Sequence, residues 1–233
     1  MVGRTSLRHA IGANVPLLLS FNGGYVDTTS FLALHGLFAA HVTGNFVTLG
    51  ASLVNGTSGA LAKLLALPVF CVAIVLARLL RYRLMSFKLP VLRSLLLVKF
   101  VLLTAAAILA AMLGPFADGN EGAALLTGMI LVSAMAIQNA AHRVHFAKSP
   151  PSTLMTGTTT QVMLDIADLL SGADGETRKV AQLRVRTLSA ALVTFAAGCG
   201  IAAVLYAVVR QQSFFVPALV ALLALAFTPG DAN

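Results

Sequence analysis

Apolar residues run along this chain in blocks, and short polar breaks separate the blocks in an order that occurs twice. Blocks at about 15–39, 60–82, 91–114, 121–143, 187–210 and 213–228 reach or approach the roughly 20 residues that a bilayer-spanning helix needs. The last is the shortest. Pro16, Pro90 and Pro217 fall in first turns, where a missing N–H costs little, and Pro115 and Pro229 follow helix ends. Pro68 lies inside the second block and predicts a kink there.

Two further segments, about 43–54 and 156–171, have a helical pattern but are too short to cross comfortably. Each opens on Thr-Gly plus another small polar residue, and Pro150-Pro151 imposes a non-helical approach on the second. They are predicted to be re-entrant half helices.

These segments belong to a repeat. HVTGNFVTLGASL (His41 to Leu53) is echoed by TLMTGTTTQVMLDIADLL (Thr153 to Leu170), with Thr43-Gly44-Asn45 lying on Thr156-Gly157-Thr158. Upstream, GGYVD (Gly23 to Asp27) is echoed by AIQNA (Ala136 to Ala140), which brings Asp27 roughly onto Asn139, one residue out of register. Paired polar breaks inside apolar spans are the best sequence pointer to a transport-type site.

Charge orients the halves. Arg78, Arg81, Arg83, Lys88 and Arg93 mark the loop after the second block as cytoplasmic, whereas GPFADGNEG (Gly114 to Gly122) carries acids and no base and suits the outside. Arg143 and Lys148 lie inside again, as do Arg178, Lys179, Arg184 and Arg186. The 156–171 segment thus enters and leaves from the cytoplasm, and the 43–54 segment from outside. Arg4 and Arg8 put the N-terminus inside, and the C-terminus follows. Three spans plus one half helix, twice, force the halves into opposite orientation. The rival is eight true spans with parallel halves, which would expose Arg4, Arg8 and the 178–186 cluster outside.

The expected fold is therefore all-α: a polytopic membrane helix bundle of two inverted repeats, each of three spans plus a short half helix. It forms a single membrane domain over 1–233, with repeat one at 15–114 and repeat two at 121–228. Composition agrees, since 58% of residues are hydrophobic and only 10% charged. A net charge of +8 would suggest nucleic acid in a soluble chain; here the bases cluster in loops, so anionic lipid is the expected contact and nucleic acid is not. The first apolar run is too long for a signal-peptide core. Cys71 and Cys199 fall in apolar segments and read as small buried hydrophobes, and no CxxC, HExxH or phosphate-binding loop occurs. No cofactor, no metal and no enzyme activity is expected.

Asp27 is the most informative residue. An isolated carboxylate in a span costs about 2.5–3.5 kcal/mol on insertion scales. Its helical neighbours Ser20, Gly23, Gly24 and Ser30 form a small polar stripe, which either admits another helix or lines a hydrated path. Lys99 is its expected charge partner. Gln138 and Asn139 are the counterpart amides, serving either as ligand contacts or as helix–helix glue. Half-helix starts at Thr43, Gly44 and Asn45, and at Thr156, Gly157 and Thr158, would turn N–H groups toward an anion or polar solute; capping and close packing are the alternative. His35 and His41 read as interfacial, with proton handling as the alternative; His142 and His145 read as headgroup contacts; and Asp165 and Asp168 read as a solvated face, with cation binding as the alternative.

GGYVDTTSFLALHGLFAAHVTGN (Gly23 to Asn45), and AIQNAAHR (Ala136 to Arg143) followed by TLMTG (Thr153 to Gly157), resemble the two signatures of the YoaK-like family of small bacterial membrane proteins. The resemblance covers nearly the whole chain. It implies a multi-spanning protein of the bacterial inner membrane and brings no established activity, so no residue role comes with it.

The expectation is a membrane transporter or channel for a small polar or anionic solute, with proton coupling through Asp27 as a further element. Its partners would be the lipid bilayer and a small-molecule or ion substrate, with a homo-oligomer left open. The alternative is a non-transporting scaffold or accessory subunit.

Overall fold

Helices form where the apolar blocks predict them, in a computed structural model that describes residues 15–228. They are α1 (Val15–Ala33), α2 (Asn45–Asn55), α3 (Ala60–Ser86), α4 (Val91–Leu113), α5 (Gly122–His145), α6 (Met155–Leu170), α7 (Gly175–Val209) and α8 (Phe215–Phe227). A short 3₁₀ turn, Val42–Gly44, precedes α2, and another, Arg210–Phe214, joins α7 to α8. No strand occurs among the described residues. Arg4 and Arg8 lie outside them.

Boundaries depart from the expected spans where local chemistry intervenes. α1 stops at Ala33 rather than 39, because His35 (φ 53°) and Gly36 (φ 85°) take left-handed backbone that no α-helix continues. α3 runs unbroken through Pro68 to Ser86, and α7 begins at Gly175, twelve residues ahead of the expected 187. Both additions are basic and exposed, which suits helical extension past an apolar slab.

α3, α4, α5 and the α7–α8 unit are long and apolar enough to cross a membrane; α1, with its polar stripe, is not among them. Large side chains such as Leu64, Val72, Leu76, Val193, Val204 and Val208 face outward. In water such a surface would be costly; in lipid it is the expected exterior. This is a membrane protein. The 11 residues of α2 and 16 of α6 reach only about 16 and 24 Å at 1.5 Å per residue, short of a hydrocarbon core of roughly 30 Å.

α1 packs along α7, and α5 packs against both α3 and α4. α8 lies against α4 and α1, while α2 sits on α3 and α6 on α7. The interior divides into two apolar clusters. One gathers Leu103, Ala106, Ala110, Leu131, Met135 and Phe214; the other gathers Val15, Leu19, Leu95, Leu96, Ile137 and Ala141. Alanines at these contacts let backbones approach closely. Between the clusters, at zero exposure, lie Lys99 and Gln138.

Candidate functional site

Glycines on α1 fix how the neighbouring elements meet it. A Cβ at Gly24 would lie 2.2 Å from the Phe195 carbonyl oxygen of α7, and one at Gly198 would lie 2.2 Å from the Phe21 carbonyl oxygen. A Cβ at Gly23 would lie 2.7 Å from the Ser152 carbonyl oxygen, so the approach to α6 rests directly on α1. The stripe expected around Asp27 thus serves close helix contact on its glycine side.

Asp27, one turn further, is 4% exposed. Its Oδ1 accepts the backbone N–H groups of Ala40 (2.6 Å) and His41 (3.2 Å), and Oδ2 lies 3.3 Å from His41 Nδ1. The carboxylate therefore ties down the chain that leads into α2. Its partner is His41 and not Lys99, a correction to the expected pairing. Lys99 Nζ instead donates to Gln138 Oε1 at 2.5 Å. Gln138 Nε2 donates in turn to the Leu19 carbonyl (2.8 Å) and Ser152 Oγ (3.0 Å), so one amide joins α4, α1 and the approach to α6. A buried ammonium needs such a bonded acceptor, and the next-door amide supplies it.

Asn139 sits in the corresponding place on α5. Its Oδ1 accepts from Thr153 Oγ1 at 2.8 Å, and its Nδ2 donates to the Met135 carbonyl at 2.9 Å. Asp27 and His41 are fourteen residues apart, and so are Asn139 and Thr153, and Gln138 and Ser152. The two approach loops are pinned to their preceding helices by the same spacing. The Thr-Gly echo follows one residue out of step, since Thr43 is two residues past His41 and Thr156 three past Thr153.

The two approaches, with α3 and α5, enclose a cavity of about 580 Å³. His41, Thr43, Asn139, Ser152 and Thr153 line it, facing an apolar wall that includes Phe70, Ile74 and Leu95. Of the expected site residues, Thr43 and Asn139 reach this space; Asp27 stands behind His41, and Gln138 behind Ser152.

The remaining half-helix residues lie elsewhere. Asn45 is buried and clamps Phe38, accepting from its N–H (2.9 Å) and donating to its carbonyl (2.7 Å). Gly44 packs under the Phe38 ring. Thr158 bonds back to the Leu154 carbonyl (2.9 Å). Thr156 lines a separate shallow depression on α6, beside Met155, Thr159 and Met163. Gly157 is exposed, and a Cβ there would meet nothing within 4 Å. The cavity is thus built by the approaches to the half helices rather than by their first turns.

Several polar residues occupy places the pattern did not predict. His142 is 5% exposed and lines the cavity instead of meeting headgroups. Its ring nitrogens carry no hydrogen bond among the described residues, although the Ser149 and Pro150 backbone lies beside the ring. Asp165 is buried rather than solvated: it pairs with Arg184 through two contacts and accepts from Gln161 Nε2 at 2.9 Å. The Arg184 bond holds its carboxyl below the usual carboxylate range. Ser52 on α2 holds Lys63 of α3 in a similar way. His35 bonds the Phe116 carbonyl at 3.0 Å. Arg78, Arg81 and Arg143 also face the cavity. Their sequence signal was a basic cluster, which topology alone seemed to explain. Among the described residues no three His, Cys, Asp or Glu side chains are grouped to hold a metal ion.

A family model described as a protein of unknown function (DUF1275) matches residues 15–227. No curated protein and no solved structure matches the chain.

Proposed function

For a chain that belongs to the DUF1275 family of proteins of unknown function, we propose a membrane transporter that moves a small polar or anionic solute through the cavity between the two approach loops. The observation that carries this reading is the cavity itself: about 580 Å³, open at one end, where two equivalently pinned breaks in the helix pattern meet. Broken helices facing each other at depth are how transporter sites are commonly built.

The finer architecture is part of the proposal. Exchanging the halves turns the α1–α7 packing into α5–α3, α2–α3 into α6–α7, and α4–α5 into α8–α1, and returns α4–α8 to itself. Every one of those contacts is made, which supports two inverted repeats. On that reading the α1–α7 seam is sealed by Gly24 and Gly198, while its counterpart between α5 and α3 borders the cavity. One path open and its mate closed is the arrangement of an alternating-access carrier, and less that of a channel. The basic residues at the open end favour a cytoplasmic orientation for it, with both termini cytoplasmic by the same charge count, and the resemblance to the YoaK-like family implies a bacterial inner membrane. His41 against Asp27 gives the closed end a titratable pair, which fits proton coupling.

The test is flux in liposomes holding the full chain, with acetate, nitrate and 3-phenylpropionate as probes. Flux above protein-free liposomes that falls in Asp27→Asn and Asn139→Leu is expected. Equal leakage with and without protein for all three removes the transport reading.

A scaffold role has one observation in its favour. Asp27, Gln138 and Asn139 are each bonded to backbone or to a neighbouring side chain, as helix-joining residues would be. The cavity is what that reading leaves without a purpose.

A further inference from the structure

The repeated motifs account for one wall of the cavity and leave its other end unexplained. On the motif side the polar groups are already engaged: His41 with Asp27, Thr153 with Asn139, and Ser152 with Gln138. At the other end stand Arg78, Arg81, His142 and Arg143, and no carboxylate lines the space. None of the three arginines makes an ion pair among the described residues.

Their surroundings increase the imbalance. Arg78 Nε donates to the Tyr82 hydroxyl at 3.1 Å, and its Cζ lies 5.0 Å from the centre of that ring; Arg81 Cζ lies 6.0 Å from the same ring. Two guanidinium groups beside one aromatic ring repel each other, and an anion next to them would offset that repulsion. Arg81 Nε is buried without a hydrogen-bond partner, and the His142 ring, which as a neutral imidazole offers one N–H, makes no hydrogen bond of good geometry although the Ser149 and Pro150 backbone lies beside it. Buried donors of this kind ordinarily have partners, and the empty Arg81 Nε–H, on a residue that lines this space, marks a missing acceptor. The rest of the lining includes apolar side chains, Phe70, Ile74, Leu95 and Val144.

We propose that the cavity binds an amphipathic organic anion, its acidic group held by Arg81, Arg143 and His142 and its apolar body lying on Phe70, Ile74 and Leu95. This deepens the transport reading and rests on the same cavity. The volume matches that of ordinary small-molecule sites. A bare inorganic anion would satisfy the arginines and leave the apolar wall unfilled. An anionic lipid entering headgroup first offers the same chemistry as a free carboxylate, so the experiment separates the two sources.

The measurement is ligand-induced change in Tm of the purified full chain. One arm uses detergent with 3-phenylpropionate, its neutral counterpart 3-phenylpropanol, or inorganic phosphate. A second uses nanodiscs of phosphatidylglycerol or phosphatidylcholine. Saturable stabilisation by 3-phenylpropionate and not by the alcohol is expected. Arg81→Gln should weaken it at least about tenfold in Kd, the loss of one charge-assisted hydrogen bond. Arg81→Lys, which keeps the charge, should retain part of it and guards against misfolding of the first variant. Arg93→Gln, outside the cavity lining, should leave it unchanged. Stabilisation confined to phosphatidylglycerol, and lost in Arg81→Gln, upholds the site and assigns its anion to lipid. No stabilisation by either anion, or stabilisation that survives Arg81→Gln and Arg143→Gln together, overturns the proposal. Binding without flux sinks the transport reading and leaves this site standing; flux without anion binding does the reverse.

Discussion

The Asp27 carboxylate holds His41 three ways at once with its neighbour Ala40: two backbone N–H groups on Oδ1 and the imidazole Nδ1 at 3.3 Å from Oδ2. It acts as a brace for the chain between α1 and α2, and the kind of atom at position 27 matters more than its charge. An amide oxygen still accepts the two N–H groups, whereas an alkyl group cannot. Asp27→Asn should cost about 1 kcal/mol and Asp27→Leu about 3 kcal/mol or more, because unsatisfied buried donors carry roughly 1–3 kcal/mol each. Unfolding of the two variants in detergent measures the gap; equal losses would contradict the brace.

The same pair sets a pH dependence. The hydrogen bond to Asp27 raises the His41 pKa, against burial, which lowers it. With the folded value above the unfolded one of about 6.5, the pair's stabilisation is complete below that pH and is lost as pH rises through the folded value. Tm should therefore fall as pH rises above about 6.5, and fall less in Asp27→Asn. Parallel curves for the two proteins would remove His41 as the cause.

Glycines separate by role. Gly24→Ala and Gly198→Ala push a methyl into a carbonyl oxygen of the facing helix, and each should destabilise by about 2 kcal/mol or more, in line with overpacking of a filled contact. Gly157→Ala meets open space inside α6 and should be neutral or stabilising by up to about 1 kcal/mol, the helix-propensity difference. Melting of the three variants side by side decides whether the Thr-Gly glycine has any packing duty.

Lys99 and Gln138 should respond unequally. Gln138→Leu takes the hydrogen-bond acceptor from a fully buried amine and should cost about 1.5–3 kcal/mol, the range for a hydrogen bond to a charged group. Lys99→Met removes the charge with its need for a partner and should cost less than half as much. Folded yield and Tm of both, with the double variant as the closing corner, measure the coupling.

The helices were legible because apolar blocks of spanning length have few other uses. The two short helices were legible for the converse reason, their length and their Thr-Gly starts. What escaped prediction was pairing across the fold. Lys99 and Asp27 were the available opposite charges within the apolar blocks, yet Lys99 found its acceptor in an amide on α5, and hydrogen bonding outranked formal charge. Asp165 looked solvated on α6, and only the extension of α7 back to Gly175 brings Arg184 beside it. The cavity's arginines were read as orientation signals. A single residue can meet that rule and bind a ligand too, and linear spacing does not separate the duties.

At the α1–α7 seam no side chain stands between Gly24 and Phe195, or between Phe21 and Gly198. Main chain resting on main chain has no rotamer to adjust, so these helices can slide or separate only as whole rods. Side chains such as Ile74, Arg81 and Asn139, which can turn without moving the backbone, belong to the opposite seam. Small, quick adjustments should be confined to that seam, and any rearrangement at Gly24 should be large, slow and all-or-none.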